Sequence, residues 1–307
     1  MDFERPKSGG EPMLPGGFRA AVARELLAHD LTPKAWHAAG VDCVTAAGES
    51  RYLGLANLYR RAKSAGREEW PAMIRHFLGV LATSTSAENA PPESLDAVRG
   101  RVRVRVGVPF ALNEPAKPWQ RLLPGTPLAM NLVIDSDEYM TYVTQGMVEA
   151  SGESGDDWLA VGVANLRDAT PDDWLGTFHE ETGMLGGHAG DSYDAARSLV
   201  LEEIGEPSPA GWLVAIPARD WLFALPVTPR SLQGLPLLKV LTQKSYAEDA
   251  YPICDEVFWV RDGVWERLPV TLTDERADVT PSAEFLAALE ELGAIEERDA
   301  GEVGGEA

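Results

Sequence analysis

The stretch WLVAIPARDWLFALPV, residues 212–227, contains two apolar runs that meet at a polar corner. We interpret the runs as two strands joined at residues 217–220, where Arg219 and Asp220 interrupt the apolar pattern. A second hairpin is predicted from VFWVRDGVWERL, residues 257–268, because the pair Asp262-Gly263 favours the tight turn between antiparallel strands. These strand pairs indicate an antiparallel sheet.

Helical patterns alternate with strand pairs along the rest of the chain. Apolar spacing predicts a helix from Phe18, a hairpin turning at residues 47–50, and two helices from LYRRAKSAG and EEWPAMIRHFLGVLA. Further predictions are two strands around residues 135–137, an interrupted helix over much of 145–168, a strand and a glycine-rich run over 174–187, and helices over 191–204, 230–248 and 282–292. This order favours an α+β fold with mixed, largely antiparallel sheets and flanking helices over a parallel βαβ sheet.

Composition divides the chain into four parts. The predicted parts are a flexible leader (1–17), an N-terminal helix/hairpin/helix subdomain with its linker (18–98), a main α+β domain (99–270), and a last helix with an acidic, disordered tail (271–307).

Charge and cysteine content restrict the class of protein. Residues 1–130 carry 17 Lys and Arg against 13 Asp and Glu, whereas residues 131–307 carry 10 against 35. The acidic half should repel nucleic acid and anionic membranes. No apolar run approaches the ~20 residues of a membrane span, and the N-terminus lacks the apolar core of a signal peptide. With two cysteines there is no disulfide framework. We therefore expect a cytoplasmic protein that binds no nucleic acid and no membrane.

The strictly alternating run RVRVRVGV, residues 101–108, predicts a half-buried or edge strand. Arg101, Arg103 and Arg105 would face one way, where their charges guard the strand edge against aggregation. The same ladder could instead bind a phosphate or an acidic partner. We prefer the structural interpretation, because alternation alone carries no ligand geometry.

The segment GDSYDAARSLV, residues 190–200, opens a predicted helix with two acidic residues. Asp191 is predicted to cap the helix by accepting hydrogen bonds from N–H groups two and three residues later, and Asp194 adds favourable charge to the first turn. The alternative is a cation site in which Asp191 and Asp194 act with His179 and His188. We prefer capping, because the spacing of the acidic residues matches no EF-hand loop and the gap between the two histidines does not place them on one helix face.

The pair Arg219-Asp220 predicts an ion pair, a hairpin turn or an arginine that recognises an anion. No nucleophile motif, phosphate-binding loop or dinucleotide fingerprint is present in the sequence, and no cofactor is predicted.

Four segments, taken in order, resemble those of a known family. They are LGLANLYRRA (53–62), VIDSDEYMTYVT (133–144), GDSYDAARSLV (190–200) and AIPARDWLFALP (215–226). The set is similar to that of the YtpQ-like bacterial proteins, a family of unknown function, over roughly residues 18–270. The resemblance implies a bacterial cytoplasmic protein with a shared α+β fold and supplies no catalytic residues. Ala196 stands where many members have serine, although Ser198 is nearby.

Two functional hypotheses follow. The preferred one is a non-enzymatic binding or protein-interaction module that contacts a protein partner through residues 101–105 or 190–220. The alternative is a cation-dependent hydrolase or transferase that uses the acidic and histidine residues of 179–194. The sequence does not determine the oligomeric state.

Overall fold

The computed structural model describes residues 14–37, 40–46, 48, 50–84, 94–110, 118–135, 140–273 and 277–294. The chain forms two compact units, residues 1–90 and 91–307, and their described parts have the predicted α+β architecture. Most of the predicted leader, the centre of the linker and the acidic tail lie outside the described residues. No helix in the described ranges is long and apolar enough to cross a bilayer.

The first unit packs helices onto a small antiparallel sheet. Its elements are α1 (Gly16–Ala28), β1 (Leu31–Trp36), β2 (Gly40–Thr45), β3 (Ser50–Gly54), α2 (Ala56–Ser64) and α3 (Trp70–Ser84), with strand order β1-β2-β3. Phe18 and Val22 of α1 are fully buried against apolar residues of the sheet and of α3, such as Val41 and Ile74. The helices and the hairpin are confirmed, whereas β1 was not predicted.

The second unit begins with a four-stranded antiparallel sheet. Its elements are α4 (Leu95–Val98), a 3-10 helix (Arg99–Arg101), β4 (Val102–Gly107), β5 (Gln120–Leu122), β6 (Ala129–Asp135), β7 (Met140–Tyr142), α5 (Gln145–Ser151) and α6 (Gly155–Asp168). β6 is central: β4 pairs along one side, and β5 and β7 pair along the other. α6 covers one face closely, because Gly162 has no side chain to separate it from the backbone of Arg103 and Val104.

A six-stranded antiparallel sheet forms the larger part of the second unit. Its elements are β8 (Leu175–His179), β9 (Met184–Gly187), a 3-10 helix (Asp194–Val200), α7 (Leu201–Ile204), β10 (Trp212–Ala218), β11 (Trp221–Pro226), a 3-10 helix (Ser231–Gly234), α8 (Leu235–Glu248), β12 (Val257–Arg261), β13 (Val264–Leu268), β14 (Val270–Leu272), β15 (Ala277–Val279) and α9 (Ala283–Glu291). The strand order is β13-β12-β10-β11-β9-β8, and β14 pairs with β15 separately.

The two predicted hairpins form the middle of this sheet. β10 lies between β11 and β12, and all seven of its residues are buried. Its side chains alternate between two apolar clusters, with Val214 in one and Leu213 in the other. Asp262 and Gly263 both have positive φ, 51° and 72°, as the turn between β12 and β13 requires.

Three features differ from the predictions. The units divide at residues 90 and 91, and Leu95 and Val98 already belong to the core of the second unit. α9 packs into that unit through Phe285, so residues 277–294 are part of it. The helix predicted at Asp191 is split into a 3-10 helix and the short α7, because the charged side chains of its first turn are engaged in a buried network.

Candidate functional site

The segment 190–197 is built around Arg197, an arginine whose side chain is 1% exposed. Its guanidinium donates from Nη1 and Nη2 to the two carboxylate oxygens of Asp191, at 2.9 and 2.5 Å, and from Nη1 to Asp194 at 3.0 Å. Nε donates to the Thr170 hydroxyl at 3.1 Å. A buried arginine requires this many partners, since an unpaired charge inside a protein is strongly destabilising.

Asp194 is the fully buried member of this network. Besides Arg197, three groups donate to its carboxylate: the backbone N–H of Ala189 at 2.8 Å, that of Gly190 at 2.9 Å, and the Trp174 indole at 2.7 Å. The indole also lies beside the Arg197 guanidinium, 5.2 Å from ring centre to Cζ. Asp194 therefore joins three segments of chain, whereas the sequence predicted only a favourable charge in a helix turn.

Asp191 performs part of the predicted capping. Its carboxylate accepts the Tyr193 N–H at 3.0 Å, two residues on, but the second predicted N–H contact is replaced by Arg197. Partial burial raises the pKa of Asp191, but the hydrogen bonds and charge of Arg197, together with the Tyr193 N–H, outweigh it and lower the pKa overall. Asp191 thus remains ionised and paired at neutral pH.

The four residues of the metal hypothesis do not form a metal site. Arg197 occupies both aspartates, His179 lies 3.1 Å from the Thr182 hydroxyl, and the His188 ring is 3.9 Å from Asp194. Among the described residues no three His, Cys, Asp or Glu side chains are placed to hold a metal ion. A guanidinium between the two carboxylates supplies the positive charge that a cation would have supplied.

Arg219 and Asp220 stand at the turn between β10 and β11. Arg219 donates from Nε and Nη2 to the two Asp220 oxygens at 2.8 and 2.7 Å, and its Cζ lies 3.7 Å from the centre of the Tyr251 ring. The predicted ion pair and turn are both present. Because the fork of the guanidinium is occupied, Arg219 does not offer it to an external anion.

The turn is also joined to the segment 188–197. The Ala195 N–H donates to the Arg219 carbonyl at 3.0 Å. His188 Nδ1 lies 2.6 Å from the Asp220 carbonyl oxygen, and since a carbonyl only accepts, Nδ1 carries the hydrogen. The structure thus brings two predicted candidate regions, 188–194 and 219–220, into one place.

A row of stacked rings extends from this place to the edge of the sheet. The His188 imidazole lies parallel to Trp221, with ring centres 4.5 Å apart. Trp221 stacks on Phe223 at 5.5 Å, and Phe223 meets Phe178 of β8 edge-on at 5.3 Å. Phe223 is buried, but Phe178 is 45% exposed. The aromatic row therefore ends in an exposed ring on the edge strand.

The arginine strand is confirmed for two of its three arginines. Arg101 ends the preceding 3-10 helix and is exposed, so its predicted place in the strand is wrong. In β4, Arg103 and Arg105 alternate with buried valines, and within the described residues β4 pairs only with β6. Arg105 donates to the Tyr142 hydroxyl at 3.2 Å. The edge-strand prediction therefore holds.

Tyr193 connects the arginine strand with the segment 190–197. Its ring is 5% exposed. Burial and the neighbouring Asp135 raise the pKa of its hydroxyl, while the charges of Arg105 and Arg103 lower it. Tyr193 and Arg197 were not singled out from the sequence. The signal available was that Arg197 follows Asp194 by three residues within GDSYDAARS.

Comparison of the chain with protein-family models, curated proteins and solved structures found no match.

Proposed function

We propose that this chain is a non-enzymatic binding protein that takes up an extended segment of a partner protein at the edge strand β8. The observation that supports the proposal best is the exposed edge itself. β8 pairs with β9 on one side, and in the described part of the chain no strand covers the other. An extended peptide can add to such an edge through backbone hydrogen bonds, with side-chain pockets providing specificity.

The sequence of β8 lacks the residues that usually protect an edge strand against pairing with another chain. Its residues Leu175 to Phe178 include no charge and no proline, which are the usual protections against pairing at an edge. β4, by contrast, carries arginines at an edge of the four-stranded sheet. Phe178 adds an exposed aromatic contact next to the unpaired backbone.

The ends of β8 specify the charge of the partner segment. Exposed Asp172 and Asp173 precede the strand, and exposed Glu180 and Glu181 follow it. Arg230, which donates to the carbonyls of Glu180 and Glu181, offsets one of these four charges. A second copy of the chain paired antiparallel would place acidic ends opposite acidic ends. The partner segment is therefore apolar at its centre and basic at its ends.

The cation-dependent enzyme has no supporting observation, since its aspartates are paired with Arg197. The YtpQ-like relationship, the bacterial origin, the cytoplasmic location and the expectation that nucleic acid is not bound remain part of the proposal. They rest on the resemblance and on the acidic composition.

The test is a selection of displayed random nonapeptides against the purified protein. We expect sequences with alternating apolar residues between Lys or Arg ends, bound more weakly as salt is raised. Phe178→Asp should abolish their binding. Val264→Asp is the matched control, because Val264 is 69% exposed on β13, the opposite edge strand of the same sheet. No enrichment, or equal binding to both variants, would refute the proposal.

A further inference from the structure

The face of the four-stranded sheet opposite α6 carries several polar and charged side chains. Arg103 lies across from Val133, and Arg105 across from Asn131. Partners in an antiparallel pair project to the same face, and alternation adds Asp135 of β6 to that face. On the other side of β6, Gln120 is opposite Asn131, and Tyr142 is opposite Val133. The same alternation also places apolar residues on this face: Val133, Met140, which is opposite Asp135, and Ala129, which is opposite Leu122.

Arg105 reaches across β6 without meeting a carboxylate. Its Nη1 donates to the Tyr142 hydroxyl at 3.2 Å and lies 3.3 Å from the Met140 sulfur, both on β7. Arg103 donates from Nη1 to the carbonyls of Gly100 and Val102, each at 3.0 Å. Among the described residues neither arginine forms an ion pair within 4.0 Å. Each guanidinium retains N–H donors for another acceptor.

Two buried polar atoms at this face, Asn131 Oδ1 and the Tyr193 hydroxyl oxygen, lack hydrogen-bond partners among the described residues. Asn131 is 3% exposed, and its Oδ1 accepts no hydrogen bond from the described residues. The hydroxyl of Tyr193 is likewise buried and has no partner of good geometry among the described residues, and Asp135 lies near enough to help raise its pKa. A buried polar atom without a partner costs about 1–3 kcal/mol. Such atoms are expected where a molecule outside the chain completes the hydrogen bonding.

We propose that this face binds a small anion that also carries hydrogen-bond donors. The anionic group, a carboxylate or a phosphate, pairs with the free N–H groups of Arg103 and Arg105. A hydroxyl or ammonium group of the same molecule donates to Asn131 Oδ1 and to Asp135. Tyr193 closes the site with a hydroxyl that can donate or accept. Among the described residues, two arginines against one aspartate give the face a net positive charge that favours the anion.

The site follows from observations separate from those on β8, so either proposal can fail alone. The network of Arg197 also positions Tyr193 of the proposed anion site. Asp191 accepts hydrogen bonds from both the Arg197 guanidinium and the Tyr193 N–H, and so fixes the backbone of Tyr193. The ligand is small, since Asn131 and Tyr193 are buried and a polymer could not reach them.

The test is calorimetric titration of the full chain with four compounds. Glycerol 3-phosphate and glutamate combine an anion with donors, inorganic phosphate supplies the anion alone, and glycerol supplies the donors alone. We expect one of the first two to bind at least tenfold more tightly than phosphate and glycerol. The preferred compound then distinguishes a phosphate ligand from a carboxylate ligand. Absence of binding by all four, or equal binding by all that bind, overturns the proposal.

Two variants separate a ligand site from a structural polar cluster. Arg105→Gln should weaken the best ligand at least tenfold, whereas Arg99→Gln, which alters an exposed arginine paired with Asp96, should leave binding unchanged. Asn131→Leu should also abolish binding while the melting temperature of the free protein stays equal or rises, because an unpartnered polar atom is removed. A fall in melting temperature with unchanged affinity would show that Asn131 is structural and would overturn the proposal.

Discussion

Replacing Arg197 by methionine should destabilise the second unit severely. The substitution retains most of the side-chain volume but removes the charge that neutralises Asp194, which is 0% exposed. Removing one partner of a buried ion pair costs about 3–5 kcal/mol. Asp194 would keep its three neutral donors, including Trp174, so the lower end applies: about 3 kcal/mol. Asp191→Asn should cost only about 1 kcal/mol, because that carboxylate is 41% exposed and water can replace part of the contact.

The assay is urea unfolding followed by tryptophan fluorescence and by circular dichroism, with a double-mutant cycle between Arg197 and Asp194. The pair Arg197→Met/Asp194→Asn should recover about 2 kcal/mol relative to the sum of the single variants, because the uncompensated charge disappears. The corresponding cycle with Asp191 should give a smaller coupling energy. Equal coupling energies in the two cycles, or a loss under about 0.5 kcal/mol for Arg197→Met, would refute this account of the network.

Three further predictions concern single sites. Gly187→Ala would place a Cβ against the Trp174 ring and should lower the free energy of unfolding by roughly 1–3 kcal/mol. Gly176→Ala in the neighbouring strand is the control, because a Cβ there meets nothing within 4 Å. An equal loss of stability for both variants in thermal unfolding would contradict this. Burial and, after it, the nearby acidic groups raise the pKa of Asp249 above 3.8, so its ionised form destabilises the folded state at pH 7. Asp249→Asn should therefore increase the free energy of unfolding at pH 7 and give no gain below about pH 3.8, where the carboxyl group is protonated in both states. Unfolding measured at several pH values tests this. Burial raises the pKa of Cys254 to about 11, so its alkylation at pH 8 should be roughly 100-fold slower than in urea, measured by mass spectrometry of its peptide; equal rates would contradict burial of the thiol.

The fold was predictable where local sequence and sheet pairing agree. The hairpin of residues 212–227 has two apolar strands and a polar corner, and the pair Asp262-Gly263 fixes the next turn. β1 was missed because Pro33 and Lys34 are poor strand formers, and only pairing with β2 makes the segment a strand. Its position at the sheet edge tolerates both residues.

Within the candidate site, only contacts between residues close together in the sequence could be predicted. The bond from the Tyr193 N–H to Asp191 spans two residues and follows from capping rules. The contact between Trp174 and Asp194 spans twenty, and the polar face around Asn131 exists only because β4 and β5 pair with β6. Such juxtapositions come from sheet register, which hydrophobic periodicity does not determine.

The strand order has a consequence for the chain while it is being synthesised. β10 ends at Ala218, and β11 follows within three residues, but its other neighbour, β12, begins only at Val257. At about 5–20 residues per second the intervening chain takes roughly 2–8 s to appear. For that time one side of an entirely apolar strand stands open on the nascent polypeptide. Slow translation between residues 218 and 257 should therefore lower the yield of folded protein through aggregation, whereas slowing after residue 268 should not.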